Sequence, residues 1–331
     1  METLELLELF GGIGACSMAL KELGIPYHIA DYVEIDKYAV KSYNAIHGTN
    51  FEPQDICTWD KDIKVDLIMH GSPCQDISAA GQGRGADKDS GTRSSLMYET
   101  LRIVEKLKPK YVIWENVKNL LSKAHRHNFD SYLESMEQLG YKNYYQVLNA
   151  KDYGIPQNRE RVFTVSIRKD VDKGFTFPIP KELQKYVPEF LEQEVDEKFY
   201  LSQKNIEYVL DMKGVALKNG RNIENRIINP LIAKTISCRG AADQRADITN
   251  FVIENVTKEI RVSEFKERSL HNLFRVRKLI PLECWRLMAF PDNAFYKAKE
   301  AGVSDTQLYK QAGNSIPVNL IFSVLANLLL T

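Results

Sequence analysis

The chain has 331 residues, with 44 Lys/Arg against 44 Asp/Glu, so it has room for one large domain and a smaller one and carries no net charge. That balance excludes a polycation that holds nucleic acid by global charge alone, leaving only local charge patterns to consider. The five cysteines, Cys16, Cys57, Cys74, Cys238 and Cys284, are scattered without a Cys-x-x-Cys pair, so neither a disulfide framework nor a metal site is expected.

Thr3 to Leu9 reads as a strand. Phe10-Gly11-Gly12-Ile13-Gly14 follows, then a helical pattern from Ile13 to Leu23 that Gly24-Ile25-Pro26 ends. Strand, glycine turn and helix form the first half of a nucleotide-binding unit, in which the backbone approaches a ligand closely and the helix start offers free N–H groups. A second strand, His28 to Val33, runs into Glu34-Ile35-Asp36 and a helix from Lys37 to His47. An acid about twenty residues beyond such a turn is placed to hold a ribose diol. Glu34 takes that assignment, and Asp36 is the expected helix cap. Asp55-Ile56 reads as the close of a short third strand.

The apolar run Val65 to Met69 reads as a buried strand leading into Ser72-Pro73-Cys74-Gln75. The glycine-rich segment Ser78 to Gly85 comes next. A cysteine therefore stands where a strand ends and a loop begins, the edge at which α/β folds collect ligands and chemistry. Arg93 to Leu107 is helical in pattern. Lys110 to Trp114 is a strand that ends in Glu115-Asn116-Val117, which brings a carboxylate to the same sheet edge as Cys74. Helix (Phe129 to Leu139), strand (Tyr141 to Leu148) and strand (Val162 to Ile167) follow. Arg159 and Arg161 precede the last of these, and one is expected to face the site while the other braces structure. The alternation predicts a doubly wound, mostly parallel α/β sheet of Rossmann-like class, with a smaller irregular domain.

Near Gly174 the pattern changes. Phe177-Pro178-Ile179-Pro180 and an acidic stretch from Glu182 to Glu197 mark a boundary or linker. From Tyr200 to Ile280 polar turns dominate, with 15 Lys/Arg against 9 Asp/Glu, the local asymmetry expected of a phosphate-contacting face. Pro281 to Met288 is a short helix, and Gln311 to Asn319 opens a last helix whose apolar face, Ile321, Leu325, Leu328 and Leu329, packs on the main domain. No apolar run of membrane-spanning length is read and no basic leader precedes the first strand, so a cytoplasmic location is expected.

Taken together, these stretches resemble the cytosine-C5 DNA methyltransferases that use S-adenosylmethionine. Phe10-Gly11-Gly12-Ile13-Gly14 is similar to the cofactor motif, Pro73-Cys74-Gln75 to the nucleophile motif and Glu115-Asn116-Val117 to the acid motif. Gln157-Asn158-Arg159-Glu160-Arg161 is similar to the Gln-x-Arg-x-Arg motif, Arg277 to Cys284 to the segment after the target-recognition region, and Gly313-Asn314-Ser315 to the last motif. The six occur in the family's usual bacterial order. The resemblance divides the chain into a catalytic and cofactor-binding domain (1–175), a target-recognition domain (176–275) and a returning C-terminal segment (276–331).

The resemblance also implies roles. Cys74 adds to C6 of a flipped-out cytosine, Glu115 supports N3, Arg161 contacts O2 and Arg159 braces the site. Phe10, Gly11, Gly12, Gly14, Glu34, Ile35, Asp55, Ile56, Pro73, Asn314 and Ser315 hold S-adenosylmethionine; Ile35 stands where some relatives have an aromatic against the adenine. Gln75, Ser78, Arg84, Arg93, Thr235 and Arg239 contact DNA. The implied partner is duplex DNA, with a cognate restriction endonuclease or a phage modification role as the setting and a monomer as the working form. A transfer-RNA cytosine methyltransferase of the same fold and a retired DNA-binding module are the alternatives. The Cys-Phe-Thr signature of the former is absent from this sequence, and the complete set Cys74, Glu115, Arg159 and Arg161 opposes the latter.

Overall fold

The computed structural model describes residues 2–73, 96–210, 226–238, 249–267 and 272–330. Its chain contacts fall into two compact units.

The first unit comprises 1–149, 160–180 and 316–331. Its sheet has six strands: β1 (Leu4–Leu9), β2 (Tyr27–Val33), β3 (Leu67–His70), β4 (Tyr111–Val117), β5 (Tyr141–Asn149) and, beyond the short β6 (Gln157–Asn158) of the second unit, β7 (Glu160–Arg168). The order is β2-β1-β3-β4-β7-β5. β1 pairs in parallel with β2 and β3, and β3 with β4, whereas β7 runs antiparallel to both its neighbours. All four residues of β3 are buried, as a central parallel strand covered on both faces requires. The core gathers Leu7, Leu9, Ile68, Val112, Trp114 and Phe129.

Helices α1 (Ala15–Glu22), α2 (Lys37–His47), α3 (Met97–Leu107) and α4 (Arg126–Gln138) follow the strands in alternation. Asp36 caps α2 as expected, its carboxylate accepting the Tyr38 N–H at 2.9 Å, and Gly48 ends the helix in the left-handed conformation that glycine adopts without strain. The expected third strand at Asp55-Ile56 does not form. Asp55 turns the chain instead, its side chain accepting from Cys57 N–H at 3.0 Å and its carbonyl from Thr58 N–H at 3.2 Å, which competes with strand pairing.

The second unit comprises 150–159 and 181–315. Its pairings are short: β6 with β9 (Ala233–Lys234), β8 (Ile227–Ile228) with β11 (Ile260–Arg261), and β10 (Phe251–Ile253) with β12 (Val276–Lys278). Ile206, Ile228, Phe251, Phe265 and Val276 form a separate small core with α5 (Gln203–Val209) and α6 (Val262–Glu267). Helices α7 (Pro281–Arg286), α8 (Asp292–Glu300) and α9 (Asp305–Asn314) complete it. Arg277 makes a bidentate pair with Glu283, both contacts 2.8 Å, and Glu283 also accepts the N–H groups of Ile280 and Glu192.

These boundaries differ from the division read in the sequence. Residues 150–159 and 276–315 group with the second unit, and the return to the first begins at 316. The last helix, α10 (Val318–Leu329), packs on α1 and buries Val318, Leu320, Ile321, Val324 and Leu325, while Leu328 and Leu329 are only half-buried. The 305–329 stretch meets a length-and-apolarity test for a membrane span, but the backbone breaks it into α9 and α10 at Ser315-Ile316-Pro317.

Candidate active site

In the first unit the glycine turn leaves β1 with three residues in the left-handed region, Phe10 (φ 53°), Gly12 (φ 55°) and Gly14 (φ 81°). The Gly14 N–H donates to the Gly11 carbonyl at 2.9 Å, closing the turn one residue before α1. A Cβ on Gly11 would lie 2.6 Å from the Tyr32 ring and one on Gly14 2.2 Å from His47 Nε2, whereas one on Gly12 meets nothing within 4 Å. Gly11 and Gly14 are therefore demanded by close packing from within, and Gly12 opens outward.

Glu34 directly follows β2, beside this turn. Its carboxylate accepts from Gly12 N–H at 3.2 Å and Asp36 N–H at 2.9 Å. Burial pushes the carboxyl up, and those amides pull it back toward the charged form. Ile35, next along, is 68 % exposed, an apolar side chain left facing solvent. The Gln54 N–H donates to the Glu34 carbonyl at 2.9 Å, which sets Asp55 and Ile56 alongside. Ile56 is buried, with its carbonyl held by Arg102 at 2.9 Å. A carboxylate for a diol, an exposed apolar side chain for a ring and an open glycine for close backbone approach fit a nucleoside-containing cofactor.

At the other end of the unit's chemistry, Arg161 Nε lies 3.0 Å from Glu115 Oε1. Glu115 is 8 % exposed. β4 brings Glu115 and β7 brings Arg161, with Glu115 opposite Phe163 and Val117 opposite Arg161 in the antiparallel register. A Cβ on Gly71 would lie 3.7 Å from Glu115 Oε2, so the chain leaving β3 passes beside the acid. Ser72 is tied down there: its hydroxyl accepts from Trp114 Nε1 at 3.0 Å and Asn116 Nδ2 at 3.3 Å, and Asn116 also holds its carbonyl. Pro73 follows, half-buried. Cys74, Gln75, Ser78, Arg84, Arg93 and Arg239 lie outside the described residues.

In the second unit Arg159 is buried, and its guanidinium donates to three carbonyls, Ile236 at 2.9 Å, Gly313 at 2.9 Å and Ser315 at 2.8 Å. Arg159 belongs to the segment between two strands, whereas Arg161 lies within β7. The strand is interrupted at Arg159, between β6 and β7. Gly313 meets the 237–238 backbone so closely that a Cβ would lie 2.2 Å from Cys238 N. Asn314 ends α9 exposed, and Ser315 is buried. Thr235, directly after β9, is exposed, with its hydroxyl donating to the Asn158 carbonyl at 2.8 Å. Gln157 Nε2 holds the Leu287 carbonyl at 2.6 Å and its Oε1 accepts from Ile236 N–H at 3.0 Å.

A family model for C-5 cytosine-specific DNA methylases matches residues 4–329. This chain belongs to that family. The methylase is 34% identical to the type II methyltransferase M2.ScrFI of Lactococcus lactis subsp. cremoris, over 98% of this chain and 99% of the relative. It is 30% identical to the orphan methyltransferase M.SPBetaI of Bacillus phage SPbeta, over 100% of this chain and 98% of the relative. Among solved structures, the Dnmt2 methyltransferase of S. pombe superposes with a TM-score of 0.74 at 22% identity, covering 98% of each chain. The Entamoeba histolytica methyltransferase EhMeth gives 0.75 at 16%, covering 99% of this chain and 98% of its own. The sheet of the methylase is thus the Rossmann-like sheet of class I methyltransferases, with β7 as its reversed strand.

Several residues of the methylase's site carry no signature in the sequence. Glu8, Tyr32, Tyr43 and His47 back the glycine turn, and Ser72 and Trp114 hold the chain just before Cys74. Glu8 had one available signal: a carboxylate inside Leu4-Glu5-Leu6-Leu7-Glu8-Leu9, in a strand paired on both sides, has to be buried and hydrogen-bonded.

Proposed function

We propose that this methylase transfers a methyl group from S-adenosylmethionine to C5 of a flipped-out cytosine in a specific duplex DNA sequence, through a covalent Cys74–C6 adduct. The observation that carries the reading is the Glu115–Arg161 pair at 3.0 Å, beside the chain that leads from β3 into Cys74.

Cytosine C5 is too weak a nucleophile to take a methyl group unaided. Addition of the Cys74 thiolate to C6 makes the ring electron-rich at C5. Negative charge develops on the ring, and Glu115, protonated or sharing a proton, supports it at N3 while Arg161 supports it at O2. S-adenosylmethionine, when bound, supplies an electrophilic methyl group on a sulfonium. Gly12 gives the backbone approach for it, Glu34 takes its ribose hydroxyls, and Ile35, Asp55 and Ile56 line its adenine. A base or water then takes the C5 proton, the C5–C6 double bond re-forms and the C6–S bond breaks, freeing Cys74 as the thiolate. Arg159 acts as a brace, tying the carbonyls of 236, 313 and 315 together.

The base leaves the duplex to reach the thiol, at a cost of a few kcal/mol in stacking and pairing. Gln75, Ser78, Arg84 and Arg93 are proposed to contact it, and Thr235 and Arg239 the DNA backbone. The second unit, which is richer in Lys/Arg, is proposed to read the target sequence. The named relatives support a place in a bacterial or phage modification system, beside cytoplasmic DNA.

The test is transfer of labelled methyl from S-adenosylmethionine to mixed-sequence duplex DNA, with Cys74→Ser alongside. Label in 5-methylcytosine, lost in the variant, is the expected result. Cofactor binding without transfer to any DNA would overturn the reading.

A further inference from the structure

Beneath the glycine turn lies a buried polar and aromatic cluster that the proposed chemistry does not use. Glu8, on β1, is 1 % exposed. Its Oε2 accepts from the Tyr43 hydroxyl at 2.6 Å and the Ser17 hydroxyl at 2.7 Å, and its Oε1 from the Ser17 N–H at 3.4 Å, in the first turn of α1. Tyr43 stacks on Tyr32, with ring centroids 3.8 Å apart and planes 24° from parallel. The Tyr32 hydroxyl donates to the Gly12 carbonyl at 2.7 Å. The Gly12 N–H in turn donates to Glu34 at 3.2 Å.

Gly12 thus has its two backbone polar groups fixed from opposite directions, the carbonyl by Tyr32 and the N–H by the ribose acid. The turn needs such a hold. Gly12 lacks side-chain packing of its own, since a Cβ there meets nothing within 4 Å, and its φ of 55° lies in a region where glycine roams freely. The aromatic stack supplies rigidity that the turn's sequence does not, and Glu8 anchors the stack where water is excluded, so its hydrogen bonds are directional and costly to lose.

We propose that Tyr32 is a positioning residue for the cofactor, presetting the Gly12 peptide and through it the Glu34 carboxylate, with Glu8 and Tyr43 holding Tyr32 in place. This inference rests on the reading of the turn and Glu34 as the S-adenosylmethionine cradle.

The test uses the full chain without DNA. Binding of S-adenosylmethionine is titrated calorimetrically for the wild type, Tyr32→Phe and Glu34→Ala, and amide hydrogen exchange is followed across the turn in each. Tyr32→Phe keeps the stack and removes only the hydroxyl. It is expected to weaken binding about tenfold, the effect of one well-placed hydrogen bond. Exchange around Gly12 should quicken in the cofactor-free protein, and in a separate turnover assay with duplex DNA the KM for the cofactor should rise by a larger factor than kcat falls. Wild type that binds no S-adenosylmethionine overturns the cradle reading, and this inference with it. Wild type that binds, with Glu34→Ala impaired but Tyr32→Phe matching wild type in affinity and exchange, overturns this inference alone. A Tyr32→Phe protein that melts earlier but binds with wild-type affinity while folded shows a structural role only, and also overturns it.

Discussion

Arg161 Nε and Glu115 Oε1 stand 3.0 Å apart because β7 runs against β4. Arg161 lies near the start of its strand and Glu115 near the end of its own, so only an antiparallel neighbour delivers both side chains to one edge of the sheet. The pair is largely shielded, and at such a site a charged donor is worth far more than in water.

Arg161→Ala is therefore expected to lower kcat/KM for methyl transfer by about 10²- to 10³-fold, the loss typical of one preorganised donor to developing negative charge. Glu115→Gln keeps the shape and removes the titratable proton, and is expected to cost about 10²- to 10⁴-fold. Steady-state transfer to DNA, with cofactor affinity measured separately, checks both. A fall confined to cofactor binding would count against the roles assigned.

His70, at the end of β3, is fully buried between Tyr132, which meets its Nε2 at 2.9 Å, and the parallel ring of Trp114. Burial lowers its pKa to about 3. The unfolded chain takes up a proton near the ordinary value of about 6.5 while the folded chain does not, so stability falls as pH drops below that value. Between pH 7 and pH 5 the loss from this one residue is expected to be about 2 kcal/mol. Chemical denaturation at the two pH values checks it, and His70→Gln should flatten that part of the dependence.

Arg159 serves three carbonyls with one guanidinium. Arg159→Ala is expected to destabilise the second unit by about 3 kcal/mol, because buried acceptors lose their donors. Arg159→Lys should recover less than half of that, since an ammonium cannot reproduce the planar fork. Thermal melting followed by a probe in residues 181–315 reads both. Gly313→Ala should mimic the loss, its Cβ having no room against Cys238 N at 2.2 Å.

The buried pair Arg277–Glu283 makes a sharper contrast. Removing either partner alone is expected to cost about 3–5 kcal/mol, whereas replacing both with apolar residues of similar volume should cost much less. Glu283 also accepts the N–H groups of Ile280 and Glu192, so Glu283→Ala should be the more damaging single change. A double-mutant cycle by urea denaturation measures the difference.

What could be read from the sequence followed the strength of local patterns. The glycine turn, Asp36 as a cap, the buried run before Cys74 and the acid ending β4 each rest on a spacing that a single element enforces. Asp55-Ile56 looks extended in sequence, but the Asp55 side chain takes the Cys57 N–H and its carbonyl the Thr58 N–H, so the chain turns instead of pairing. The carbonyl fork on Arg159 could not be read, since its partners are backbone groups 77 and more positions away. Tyr32 and Tyr43 were placed in the right elements, but a stack between them depends on how those elements pack, which no local pattern records. Composition changes near Gly174, but contacts gather residues from both sides of that point into each unit.

The β5–β7 hairpin has its connecting segment, Ala150–Arg159, built into the second unit rather than the first. Gln157 and Arg159, from that segment, hold Ile236, Leu287, Gly313 and Ser315. A chimera made by exchanging only 181–315 with a related enzyme would therefore leave the host's own connector facing foreign carbonyls. Grafts that carry residues 150–159 along with the exchanged segment keep the set intact, and those junctions are where this protein can be cut and recombined.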